Sequence, residues 1–306
     1  MSFTHFFVTG DSRFLPFFQK HKLSTLISYA NSKKLLNLCV DAYKDKKAGR
    51  LILDSGAFTV ATKGIKIKEE DYLNYVEDNY NNFDIIAQLD TINYGKVSSE
   101  VSEQKTYENA CYMLENLKDT EKLALVHHDA ETYEGFKRLL NLKINGKRAG
   151  YIMLGIGSMG NSHPRFLVPH LYEIYNIIKN SDNPNIKIHI LGLSYMPVLE
   201  SIPVSSSDGS TWLRFSALGR VVFYDGTNTC KIINFAKRTE RVSDRYHRLT
   251  RKQKDFIASR VNEFGYTIED LYDDTIKRTE FNLLNWKMLY DNYKCRYNPL
   301  RAISLF

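Results

Sequence analysis

Residues 51–58 read Leu-Ile-Leu-Asp-Ser-Gly-Ala-Phe, and residues 85–91 read Ile-Ile-Ala-Gln-Leu-Asp-Thr. Each is a short apolar run that stops at an aspartate. Each is followed by a stretch whose apolar residues fall at helical spacing, residues 69–80 and 100–117. A run that is continuously apolar, rather than alternating, suits a strand buried on both faces, as in a parallel sheet covered by helices. Outward from these two runs the same unit recurs at residues 6–9, 35–40, 123–126, 151–156, 186–191 and 202–205, with a further run at 221–224. Amphipathic stretches at 132–142 and 166–179 lie between them. Roughly eight strand–helix repeats predict an α/β fold, a TIM-type (β/α)8 barrel. A doubly wound open sheet is the alternative. No Gly-x-Gly-x-x-Gly follows the first run, which weakens its dinucleotide-binding form.

The pattern changes after about residue 239, where strand-like runs stop and basic and aromatic residues take helical spacing. The expected organisation is a catalytic barrel over 1–236 and a helical, basic extension over 237–306. Of the 306 residues, 43% are hydrophobic and 25% charged, a globular balance. No apolar run approaches the length of a membrane span. The first ten residues lead into a strand and lack the charged head and cleavage site of a signal peptide, so the expected location is the cytoplasm. Cys39, Cys111, Cys230 and Cys295 are scattered and form no Cys-x-x-Cys, so neither a disulfide framework nor a zinc site is expected. The net charge is +7, and residues 231–260 alone carry ten Lys or Arg against three acids. Such a segment suits a polyanion, since each phosphate neutralised releases counterions. Arg238, Arg241, Arg245, Arg248, Arg251 and Lys252, with Arg214 upstream, are the candidate nucleic-acid contacts; a solvated helix face is the plainer reading.

In a barrel the strand ends converge on one rim, where active sites of this fold are built. Asp54, Asp90 and Asp208, the pair His127-His128, and glycines at Gly56, Gly155 and Gly157 all fall at such ends. A single aspartate there is ordinarily a helix cap. Three on one rim suggest chemistry. Two carboxylates across a gap can run glycosidic substitution, one attacking the anomeric carbon and the other handling the leaving group's proton. Metal-assisted hydrolysis with Asp and His remains open at this point.

Asp54-Ser55-Gly56-Ala57-Phe58 resembles the Asp-Ser-Gly-Gly-Phe signature of the tRNA-guanine (queuine) transglycosylases. Motif order is similar as well. Asp90 stands at the base-recognising position, and His127-His128 where that family has Gln. Leu154-Gly155-Ile156-Gly157 and Ile190-Leu191-Gly192-Leu193 follow. Ser207-Asp208-Gly209-Ser210-Thr211-Trp212 looks closest to the DNA branch of the family, the DpdA (deoxypurine in DNA) type of phage and bacteria. The resemblance spans about residues 5–224. Departures are clear: the Cys-x-Cys-x-x-Cys…His zinc site and the Pro-Thr-Arg segment of the tRNA enzymes are missing, and Ala57 replaces the second glycine.

The resemblance implies exchange of guanine in DNA for a 7-deazaguanine base, with Asp208 as nucleophile and Asp54 as general acid and then base. It implies that Asp90, Ser55, Gly56, His127 or His128, Gly155 and Gly157 hold the purine, with Tyr94, Phe58 or Met196 stacking on it. No metal or cofactor is implied, the partners are DNA and the free base, and a homodimer is admitted. If the gene is a phage's, the location is the host cytoplasm. The competing expectations are a tRNA transglycosylase without zinc, a nucleoside or glycoside hydrolase on the same barrel, and a non-catalytic nucleic-acid-binding barrel. His163 is read as a loop residue and Trp212 as packing.

Overall fold

The computed structural model of the chain describes residues 3–44, 49–92, 98–129, 131–156, 163–235 and 246–298. Eight parallel strands close a barrel in chain order: β1 (Thr4–Val8), β2 (Ser24–Ser28), β3 (Leu51–Asp54), β4 (Ile85–Ala87), β5 (Leu123–His128), β6 (Tyr151–Gly155), β7 (Lys187–Leu191) and β8 (Ser206–Gly209). Helices fill the crossovers, among them Lys33–Tyr43, Glu69–Asn79, Ser99–Asn116, Tyr133–Leu140 and Pro164–Lys179. The chain therefore has the TIM-type (β/α)8 fold, with a helical extension after it. Closure pairs Phe6 with Asp208 and Thr4 with Ser206. No helix among the described residues is long and apolar enough to cross a membrane.

Inward-facing residues fall into layers. Phe6, Leu26, Ile52, Ile85, Val126 and Met153 belong to one buried apolar cluster with one contributor from each of six strands. Below it, at the N-terminal strand ends, Arg50 donates to Thr4 Oγ1 and Tyr151 Oη (3.4 Å each), and Lys187 Nζ donates to Tyr151 Oη at 3.4 Å. The Arg50 guanidinium lies 5.6 Å from the Phe6 ring centre. These long basic side chains lay their stems along the aromatic floor.

Four expectations about elements change. Residues 35–40 are helical, within Lys33–Tyr43. Ser32 caps that helix through Leu35 N–H (3.3 Å), and its buried residues Leu36, Cys39 and Tyr43 fall on one helical face. The second strand is instead Ser24–Ser28, whose polar ends hide a short apolar centre. The eighth strand starts at Ser206, after the apolar run at 202–205. Its Ser-Ser-Asp-Gly sequence is buried because its polar side chains have partners: His189 Nδ1 at 2.8 Å from Ser206 Oγ, and His5 Nδ1 at 2.8 Å from Ser207 Oγ. Residues 221–224 do not join the barrel. They form β9 (Arg220–Tyr224), antiparallel to β10 (Cys230–Asn234).

The division of the chain also differs from the boundary expected at 236/237. One compact unit holds residues 1–193, 198–209 and 295–306; the other holds 194–197 and 210–294. In the second, the β9–β10 hairpin and the helices Arg251–Glu263, Ile268–Asp273 and Thr275–Asp291 surround a core of Val221, Phe223, Phe235, Val261, Leu271 and Phe281. The open edge of β9 is capped by side chains of the last helix. Asn282 Oδ1 accepts from Val222 N–H (2.8 Å), and Asn285 Oδ1 accepts from Tyr224 N–H (2.9 Å). Covering an edge in this way removes a template for strand addition. In the barrel unit, Arg296 Nε donates to the buried Glu200 carboxylate (2.8 Å), and Tyr297 packs on Tyr172 and Tyr175.

Candidate active site

The C-terminal mouth of the barrel gathers the expected carboxylates. Asp54 ends β3, Asp90 follows β4 and Asp208 lies in β8. Asp54 is partly buried, with Gly56 N–H donating to its Oδ2 at 3.0 Å. Loss of solvent, then the charges of Asp90 and Asp208, push its carboxyl from an ordinary 3.8 up to about 7; the bonds from Gly56 and Ser28 offset part of this. Near neutral pH such a carboxyl can both give and take a proton. Tyr72, fully buried with its hydroxyl donating to Ala87 O (2.6 Å), has its phenol pushed up by burial and then by the charges of Asp54 and Asp90.

Asp90 is engaged on both oxygens. Ser55 Oγ donates to Oδ1 at 2.5 Å, and His128 Nε2–H donates to Oδ2 at 2.7 Å. A carboxylate has about four lone-pair directions, so two remain for a ligand's N–H groups. Burial alone would lower the His128 pKa. The hydrogen bond and charge of Asp90, with Glu131 and Asp129 behind, outweigh it and raise it above 6.5. Gly155 makes room for this ring: a Cβ there would sit 2.4 Å from His128 Nδ1. The room the imidazole needs accounts for a glycine at this position.

Two further expectations shift for steric reasons. His127 points away from the mouth, its ring against Phe136 (centroids 4.6 Å apart) and its Nδ1 3.0 Å from Glu131 Oε2. Successive residues of a strand face opposite sides, so His128 and His127 cannot both enter the site. Gly56 has φ +89°, and a Cβ would meet Ala30 Cβ at 2.5 Å, so its place is required by the turn into the helix Ala57–Lys63. Its N–H is committed to Asp54. Phe58 is exposed at 60%, whereas Met196 is buried. Gly157, Tyr94, Arg238, Arg241 and Arg245 lie outside the described residues. Arg214, Arg248, Arg251 and Lys252 are exposed in the second unit, and Trp212 is buried there. His163 caps the helix Pro164–Lys179.

Asp208 is 5% exposed, and its Oδ1 accepts from Gly192 N–H (3.0 Å) and His189 Nε2–H (3.1 Å). His189 was not singled out from the sequence. The signal was available: a histidine alternating with Lys187 and Leu191 on the inward face of an otherwise apolar strand. Ser28 and Glu131 were missed as well; Glu131 Oε2 accepts from His128 N–H at 3.0 Å and so braces the ring that holds Asp90. Among the described residues no group of three or more His, Cys, Asp or Glu side chains is placed to hold a metal ion. Comparison of the chain with models of known protein families and with curated proteins finds no match to either.

Proposed function

We propose that this mouth exchanges a nucleobase in nucleic acid, replacing guanine in DNA with a 7-deazaguanine base by double displacement. What carries the reading is the contrast between two carboxylates of one rim. Asp54 keeps a proton to about pH 7, while Asp208 is held on one oxygen by two N–H donors. A carboxyl that keeps its proton suits acid–base work, and one held still on a single oxygen suits attack. Asp208 attacks C1′ of the sugar, and Asp54 protonates the departing guanine. The incoming base then gives its proton to Asp54 and displaces Asp208, so the anomeric configuration is retained. Asp90, braced by Ser55 and His128, accepts the N–H edge of the purine. An extruded base costs a few kcal/mol of stacking in a duplex. The exposed Arg248, Arg251 and Lys252 would contribute phosphate contacts, and the work would be done in the cytoplasm, a host's if the gene is a phage's.

The test is transfer of a labelled 7-deazaguanine base into DNA and, in parallel, into tRNA, with wild type and Asp208→Ala. Label entering DNA with wild type alone is the expected result. Label entering tRNA makes the protein a tRNA enzyme, and free base released without incorporation makes it a hydrolase. No reaction in any arm removes the transglycosylase reading.

A further inference from the structure

Attack by a carboxylate needs one oxygen aimed at C1′ and the other held still. Three observations bear on how Asp208 achieves this. His189 is fully buried, and its ring is fixed from two sides: Nδ1 lies 2.8 Å from Ser206 Oγ, and the Phe6 ring meets it at 64° with centroids 6.1 Å apart. The remaining ring nitrogen donates to Asp208 Oδ1, which also accepts Gly192 N–H. Among the described residues no protein donor reaches Oδ2. Burying an imidazole beside the apolar cluster of the barrel has a desolvation cost that an aliphatic side chain would avoid. It is offset by hydrogen bonds at both nitrogens.

We propose that His189 is the positioning residue of the nucleophile: with Gly192 N–H it immobilises Oδ1 and leaves Oδ2 as the atom that attacks. The proposal rests on the base-exchange reading. In the step concerned, a lone pair of Oδ2 forms the bond to C1′ as the C1′–N9 bond breaks. The electron pair of that bond leaves with guanine, which takes the proton of Asp54. Oδ1 carries the carbonyl character of the resulting ester, and the incoming base reverses the step. Ser206 sets the ring's tilt through Nδ1. One residue on, the bond between Ser207 and His5 ties β8 to β1 from the outer face, so the strand bearing the nucleophile is held from both sides.

Three substitutions separate positioning from packing. His189→Gln puts an amide nitrogen near the Nε2 position and keeps the donor to Asp208. His189→Asn reaches only the Nδ1 position and keeps the bond to Ser206. His189→Leu keeps neither. With folding checked by circular dichroism, the Gln variant is expected to hold kcat within about 10-fold of wild type. Asn and Leu are expected to lose about 100-fold or more in kcat, with KM for DNA within about threefold. Loss in Gln as deep as in Leu, or wild-type kcat in Asn and Leu, overturns the proposal.

A second measurement does not depend on activity. In ¹⁵N-histidine NMR of the wild-type protein, the His189 Nε2–H should be protected from exchange, and the protection should vanish in Asp208→Ala. Absence of that protected proton overturns the proposal whatever the enzyme does. If the proton is present but wild type transfers no base, the base-exchange reading fails and the hydrogen bond stands.

Discussion

Replacing Asp54 by asparagine tests the electrostatics of the mouth independently of any substrate. The native carboxyl titrates at about 7 and its ordinary value is 3.8. Between these two pH values the native state keeps a proton that the unfolded chain has released, so native stability falls as pH rises through the window and levels off above about 7. Worked from those two values, the ionisable Asp54 costs the fold roughly 2 kcal/mol at pH 5 and roughly 4 kcal/mol at pH 8.5. The asparagine variant has no such cost and keeps an oxygen for Gly56 N–H. Urea unfolding of wild type and Asp54→Asn at both pH values should therefore show the variant gaining on wild type by about 2–3 kcal/mol from pH 5 to pH 8.5. A gap that stays constant within about 1 kcal/mol would refute the assignment of a raised carboxyl to Asp54. The transfer reaction should respond in the same direction, its acid-dependent limb falling as pH rises above about 7.

Gly155→Ala should drive the His128 imidazole off Asp90, because the new Cβ would lie 2.4 Å from Nδ1; steady-state assays should show at least about a 10-fold loss of kcat/KM, with the fold retained. Gly56→Ala combines a φ of +89° with a 2.5 Å approach to Ala30 Cβ. It should lower unfolding free energy by about 1–3 kcal/mol in urea titration. Asn282→Leu leaves Val222 N–H buried without its acceptor; the expected cost is about 1–3 kcal/mol, seen as early loss of hydrogen-exchange protection in the second unit. Charge reversal at Arg251 and Lys252 should weaken DNA binding and flatten its salt dependence by about one phosphate contact per residue.

The barrel was legible where its strands are apolar throughout. Leu51–Asp54 and Ile85–Ala87 could be read directly, because burial on both faces leaves a continuous signal. Ser24–Ser28 and Ser206–Gly209 could not. Their burial depends on partners supplied by other strands, and composition records only the serines. The run at 35–40 misled because its apolar residues fit either period; the cap at Ser32 and the spacing of Leu36, Cys39 and Tyr43 decide for helix. In the site, the aspartates declared themselves by following apolar runs: Asp54 ends β3, Asp90 stands just past β4, and Asp208 comes after the run at 202–205. His189 did not, since its meaning comes from Ser206 and Asp208, which only the register of β7 against β8 brings beside it. Gly155 was seen, but the cause of its smallness lies on the neighbouring strand, in a ring that fills the space.

The pairing that shuts the barrel joins Thr4 to Ser206, on strands that stand first and last in its chain order. Contacts so remote in sequence carry a large loop-closure entropy and tend to form late in folding. The strand that makes them is also the one carrying Asp208. During synthesis, Asp54 and Asp90 emerge from the ribosome long before it, so the three carboxylates of the mouth come together only once β8 has paired with β1. The crowding of charge at the rim is thus a property of the closed barrel alone: an intermediate open at the β1–β8 seam does not yet hold Asp208 beside Asp54.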